Sequence, residues 1–87
     1  MGRGGRRNPN EYVYITAEIF FDPERGTRRV RPIAGEIYPS DMRIECSMKI
    51  HELPLGTKVR LRVVETEKEG SRKFLYSSYK WNYELVP

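Results

Sequence analysis

The 87-residue chain carries 16 Lys and Arg against 12 Asp and Glu, a net charge of +4, with one Cys and one His. A single cysteine excludes an internal disulfide, and a single histidine excludes a His-based metal cluster or a diad with a second His. No apolar run approaches the ~20 residues that span a bilayer, so the expectation is one small domain away from membranes, burying roughly 60–65% of its unfolded surface.

Residues 1–10, Met-Gly-Arg-Gly-Gly-Arg-Arg-Asn-Pro-Asn, lack any core-forming pattern and read as a disordered basic arm ahead of a domain at 11–87. Arg3, Arg6 and Arg7 account for three of the 16 basic groups, which leaves 13 against 12 acidic ones in the remainder. Attraction to an anionic partner must therefore come from this arm and from local patches. No apolar stretch follows the arginines, as a secretory signal would require, and the lone thiol suits a reducing, cytoplasmic setting.

Residues 11–21 alternate: Val13, Ile15, Ala17, Ile19 and Phe21 share one face, while Tyr12, Tyr14, Thr16, Glu18 and Phe20 share the other. Period two with β-branched and aromatic residues predicts a half-buried strand. Asp22-Pro23-Glu24-Arg25-Gly26-Thr27 is a turn, with Pro fixing φ and Gly supplying a positive φ. The chain should return as a strand over 28–38, with Phe21 opposite Arg28, Ile19 opposite Val30 and Glu18 opposite Arg31. Pro32 lacks a ladder donor and marks this strand as an edge or a bulge. Arg28, Arg29 and Arg31 form the densest basic cluster inside the domain, readable as edge protection or as a phosphate patch.

Residues 40–53 fit two patterns. Ile44, Cys46, Met48 and Ile50 alternate as a strand over 42–50, while Met42, Cys46, Ile50 and Leu53 also fit one face of a short helix capped by Ser40. After Pro54-Leu55-Gly56-Thr57 come two further runs, expected as strands over 57–67 and 72–85. A two-residue turn at Glu69-Gly70 would collect Val59, Leu61, Val63, Phe74 and Tyr76 on one face. The other face would then carry Lys58, Arg60, Arg62, Tyr79 and Trp81, with Tyr83 beside them. A bulge at Ser77-Ser78 would reverse the phase and turn Tyr79, Trp81 and Tyr83 inward.

Nothing in the chain resembles an active site. Cys46 lies in an apolar run and reads as a small core residue, and His51, five residues on, points elsewhere on either a strand or a helix. Glu65, Glu67 and Glu69 form a solvated mixed-charge turn, and no glycine-rich phosphate loop is present. No catalytic residue, metal or cofactor is expected.

The expected fold is mainly β: a five-stranded antiparallel, partly open barrel or curled sheet, OB-like or SH3-like, with the short helix at 40–53 as the open alternative. The expected function is non-enzymatic binding of single-stranded DNA or RNA with little sequence specificity. Tyr79, Trp81 and Tyr83 would stack bases, Lys58, Arg60, Arg62, Arg29 and Arg31 would contact phosphates, and Arg3, Arg6 and Arg7 would track the backbone. The alternative is a protein-interaction or homodimer module that buries the same aromatic face.

Overall fold

The structure, a computed structural model, describes residues 12–67 and 72–87. The arm with Arg3, Arg6 and Arg7, and the expected turn at Glu69-Gly70, lie outside the described residues. Alternating apolar residues make β1 (Val13–Asp22), which pairs antiparallel with β2 (Thr27–Pro32) in the expected register: Phe21 faces Arg28, Ile19 faces Val30 and Glu18 faces Arg31. The turn between them closes through Arg25 and Gly26 N–H donation to the Asp22 carbonyl, with the Asp22 carboxylate accepting Glu24 N–H and Gly26 at φ 66°.

β2 stops at Pro32, short of the expected 38. Ile33 N–H donates to the Thr16 carbonyl, which makes residues 17 and 32 a non-hydrogen-bonded pair in the ladder. The donor that proline lacks would have pointed away from β1, so Pro32 costs that ladder nothing. Beyond it the chain leaves the sheet, and the Glu36 carboxylate accepts the Thr16 N–H at 2.8 Å in place of a strand.

The 42–50 strand does not form as expected. β3 is the two residues Ile44–Glu45, and α1 is one turn, Met48–His51, whose N-cap is Ser47 and not Ser40. Both patterns in this stretch were real. Ile44 is buried as a strand residue, while Met42, Cys46 and Leu53 pack with Ile50 against the core as the helical stripe implies.

β4 (Lys58–Thr66) runs antiparallel to β1, with Val13 opposite Val63 and Glu18 opposite Lys58. Its alternation slips by one at Val63 and Val64, both buried. β5 (Phe74–Tyr76) therefore pairs with β4 one residue away from the expected register, with Val64 and not Val63 opposite Tyr76. The 72–85 strand is also broken. The chain departs at Ser77, crosses an excursion over 77–83, and rejoins β4 as β6 (Glu84–Val86), where Glu84 faces Arg60.

Among the described residues the strand order is β2-β1-β4-β5-β3, with β6 also on β4 and β3 parallel to β5. The sheet thus has six strands of mixed direction and curls until β2 approaches β3, a barrel nearly closed. Ile15, Ala17, Ile19, Val30, Ile44, Ile50, Val59, Leu61, Val63 and Leu75 fill its interior. Of the residues expected on the inward faces, Ile15, Ala17, Ile19, Val30, Val59, Leu61, Val63 and Phe74 are buried, Val13 and Tyr76 are half-buried, and Phe21, at the end of β1 beside the turn, is 51% exposed.

Candidate functional site: the outer face of β4

Because Val59, Leu61 and Val63 point inward, Lys58, Arg60 and Arg62 point outward from the same strand. Across the β1–β4 ladder they stand opposite Glu18, Thr16 and Tyr14. Glu18 is taken by Arg31, whose Nε donates to it at 2.9 Å. Arg60 reaches Thr16 Oγ1 at 3.5 Å, and Lys58, Arg60 and Arg62 make no ion pair among the described residues.

Arg62 is held by aromatic rings. Its guanidinium carbon sits 4.6 Å from the Tyr12 centroid, 5.1 Å from Trp81 and 5.5 Å from Tyr14, and Nη2 donates to Tyr14 Oη at 3.1 Å. Its Nε is enclosed without an acceptor among the described residues. The Tyr14 hydrogen bond raises the Arg62 pKa further above its already high value, so the charge is permanent. Trp81 completes the cage, tilted on Tyr12 at 5.4 Å and edge-on to Tyr76 at 6.3 Å. Tyr76 therefore works on this side of the sheet and not with the inward set; Phe74 and Leu75 are the buried pair of β5.

The excursion over 77–83 is what brings Trp81 there. Ser77 is buried, with its N–H on the Glu45 carbonyl, while Ser78 builds a turn by accepting Lys80 N–H on its hydroxyl and Trp81 N–H on its carbonyl. The serines thus end the strand where a bulge was the expected alternative, the departure is longer than a bulge, and Trp81 becomes neither core nor a free stacking surface. It is half-buried against Arg62 and Tyr12. Tyr79 stands at the tip of this turn, 74% exposed, with Lys80 Nζ 5.9 Å from its ring, while Glu84 takes the position opposite Arg60. Tyr83 packs against the core and is lost to the outer face, because the excursion changes the strand's phase before it.

The basic cluster on β2 is largely neutralised. Arg29 pairs with Asp22 at 3.5 Å, and Arg31 pairs with Glu18 while lying 4.2 Å over Phe20. Arg28 Nη1 donates to the Glu52 carbonyl, tying β2 to the end of α1. Alternation could locate the Lys58–Arg62 stripe, but the roles of Tyr12 and Tyr14 as walls of the Arg62 cage needed the cross-strand register. Burial pushes the Cys46 thiol up to about 12, which makes it an inert packing residue.

Fold and face together define a small, nearly closed β-barrel domain with a cationic, aromatic-walled outer strand. No protein family, characterised protein or solved structure matches this chain. Among the described residues no helix is long and apolar enough to cross a membrane, and no cluster of three or more His, Cys, Asp or Glu could hold a metal.

Proposed function

We propose that this domain is a non-enzymatic module that binds single-stranded nucleic acid through the outer face of β4 with little sequence specificity. The observation that carries the reading is the row of three outward cations, Lys58, Arg60 and Arg62, without ion pairs among the described residues. Alternate residues of a strand are about 6.7 Å apart, twice the ~3.4 Å axial rise per phosphate of one stacked strand. Tyr79 offers a ring for base stacking at one end of the row, and Trp81 serves mainly to orient Arg62. Arg3, Arg6 and Arg7 add phosphate contacts from the arm, and a reducing, cytoplasmic setting suits Cys46. The test is anisotropy of a labelled oligothymidylate against salt. The three β4 contacts alone predict a log–log slope of about −2, steepening to about −4 with the three arm arginines, since each single-strand contact contributes ~0.7; a flat response ends this reading.

A second reading has its own support. Glu18 and Glu84 lie opposite Lys58 and Arg60, so the face is mixed in charge, and Tyr14 and Tyr79 expose half or more of their surface. Such a face also suits a protein partner or a second copy of the chain. It predicts association that barely responds to salt and, for a homodimer, Trp81 emission that shifts on dilution.

A further inference from the structure

We propose that the open seam of the barrel, between β2 and the segments leading into β3 and β5, is a second backbone-binding segment for the same single strand. This rests on the reading above and extends it to a different part of the molecule. The sheet ends at β2 and β3 without joining them, leaving a cleft of about 840 Å³. Arg25, Arg29 and Arg31 line it from the hairpin; Arg43, Arg72 and Lys73 line it from the other side. Four of these six already face a carboxylate, Arg29 on Asp22, Arg31 on Glu18, Arg43 on Glu45 and Lys73 on Glu65, which leaves Arg25 and Arg72 as the lining's cations without an ion pair among the described residues.

The arginines of the cleft are oriented. Arg31 lies 4.2 Å over Phe20 and Arg43 lies 4.5 Å over Phe74, each with one edge on a carboxylate, Glu18 and Glu45. A guanidinium held between a ring and a carboxylate has its position restricted, and its remaining N–H groups can meet phosphate oxygens. Arg25 and Arg72 are exposed and make no ion pair among the described residues. The hydrogen-bond alternation of β2 also turns the peptide groups of Arg28 and Val30 toward the seam, away from β1.

The cleft continues the β4 stripe. Lys58 stands opposite Glu18, and Glu18 opposite Arg31, so one row crosses β4, β1 and β2 into the seam. Along β1, Phe20 at the cleft is six residues from Tyr14 at the Arg62 cage, about 20 Å at ~3.3 Å per residue. A path of that length falls within the roughly 4–16 nucleotides that one small barrel covers.

The experiment compares the full chain with Arg25→Glu/Arg72→Glu, and with Arg25→Gln/Arg72→Gln should charge reversal disturb folding. Oligothymidylates of roughly 4 and 16 nucleotides are the probes. The expected result is a tenfold or greater loss of affinity for the longer oligomer, a salt slope shallower by about 1.4, and unchanged binding of the shorter one. Equal affinity and slope for the longer oligomer in both proteins overturns the seam proposal and leaves the β4 reading standing. Failure of the parent chain to bind either oligomer overturns both. Binding of poly-glutamate, lost in the double variant, in a chain that ignores oligonucleotides makes the cleft an acidic-peptide site and also overturns the proposal.

Discussion

The Arg62 guanidinium lies 5.1 Å from the centre of the Trp81 ring, and those residues come from a strand and from a loop that interrupts the strand's neighbour. The cation is balanced by ring faces, with no carboxylate paired to it among the described residues. Replacing Arg62 with Lys keeps the charge but removes the guanidinium from among the three rings and its Nη2 bond to Tyr14. Stability should fall by about 0.5–1 kcal/mol, the value of an exposed cation–aromatic contact, and Trp81 emission should move to the red as its cover loosens. An emission spectrum identical to the parent would mean that Arg62 does not cover the ring.

Trp81→Ala separates positioning from stacking. With Trp81 half-buried on the outer face, the domain should stay folded and lose about 1–2 kcal/mol in urea titration, less than the 3–5 kcal/mol typical of a core aromatic. Tyr79→Ala, by contrast, should leave the urea midpoint unchanged because its ring is 74% exposed, while weakening oligonucleotide binding by ~1–3 kcal/mol. Equal effects of Tyr79→Ala and Lys80→Ala on binding would reassign Tyr79 to an electrostatic role.

Leu61→Ala removes a side chain that is 1% exposed at the centre of the barrel. A loss of ~2–4 kcal/mol is expected from the transfer and cavity terms together, a large fraction of the stability of so small a domain. Chemical denaturation with an unchanged m-value is the check.

Glu36→Ala tests the substitute for the missing strand. Its carboxylate accepts the Thr16 N–H at 2.8 Å, and bonds of this charged type contribute about 1.5–3 kcal/mol. Faster amide exchange at Thr16, with exchange at Ile19 unaffected because its N–H donates to the Thr57 carbonyl on the other side, would identify this one bond as the cause.

Cys46 makes a pH prediction. Burial raises its thiol from 9.0 to about 12. Between those values the folded state holds a proton that the unfolded state has released, so stability declines as pH rises through that window. Cys46→Ala removes this component, and the difference between the two proteins should be constant below pH ~8.5 and shrink above it. Native-state thiol labelling at neutral pH should be slow.

Much of the fold is legible in the residues because it is local. Period-two alternation and the Asp22–Gly26 turn specify β1, β2 and their register, and the same alternation on 58–63 places Lys58, Arg60 and Arg62 outward. Tertiary packing decided the rest. The slip at Val63–Val64 exists because both valines can be buried where β4 passes from β1 to β5, and a one-residue slip moves every later pairing. Phe74–Val86 has enough apolar residues to read as one strand, but β4 accepts it only at its two ends, and the segment between folds outward onto Arg62. Residues 42–50 satisfy strand and helix periods at once, and the curvature that closes the barrel left room for two strand residues and one helical turn. The rings that meet at Arg62 come from positions 12, 14 and 81, with Tyr76 edge-on to Trp81, and only the curled sheet brings those distant positions within reach of one guanidinium.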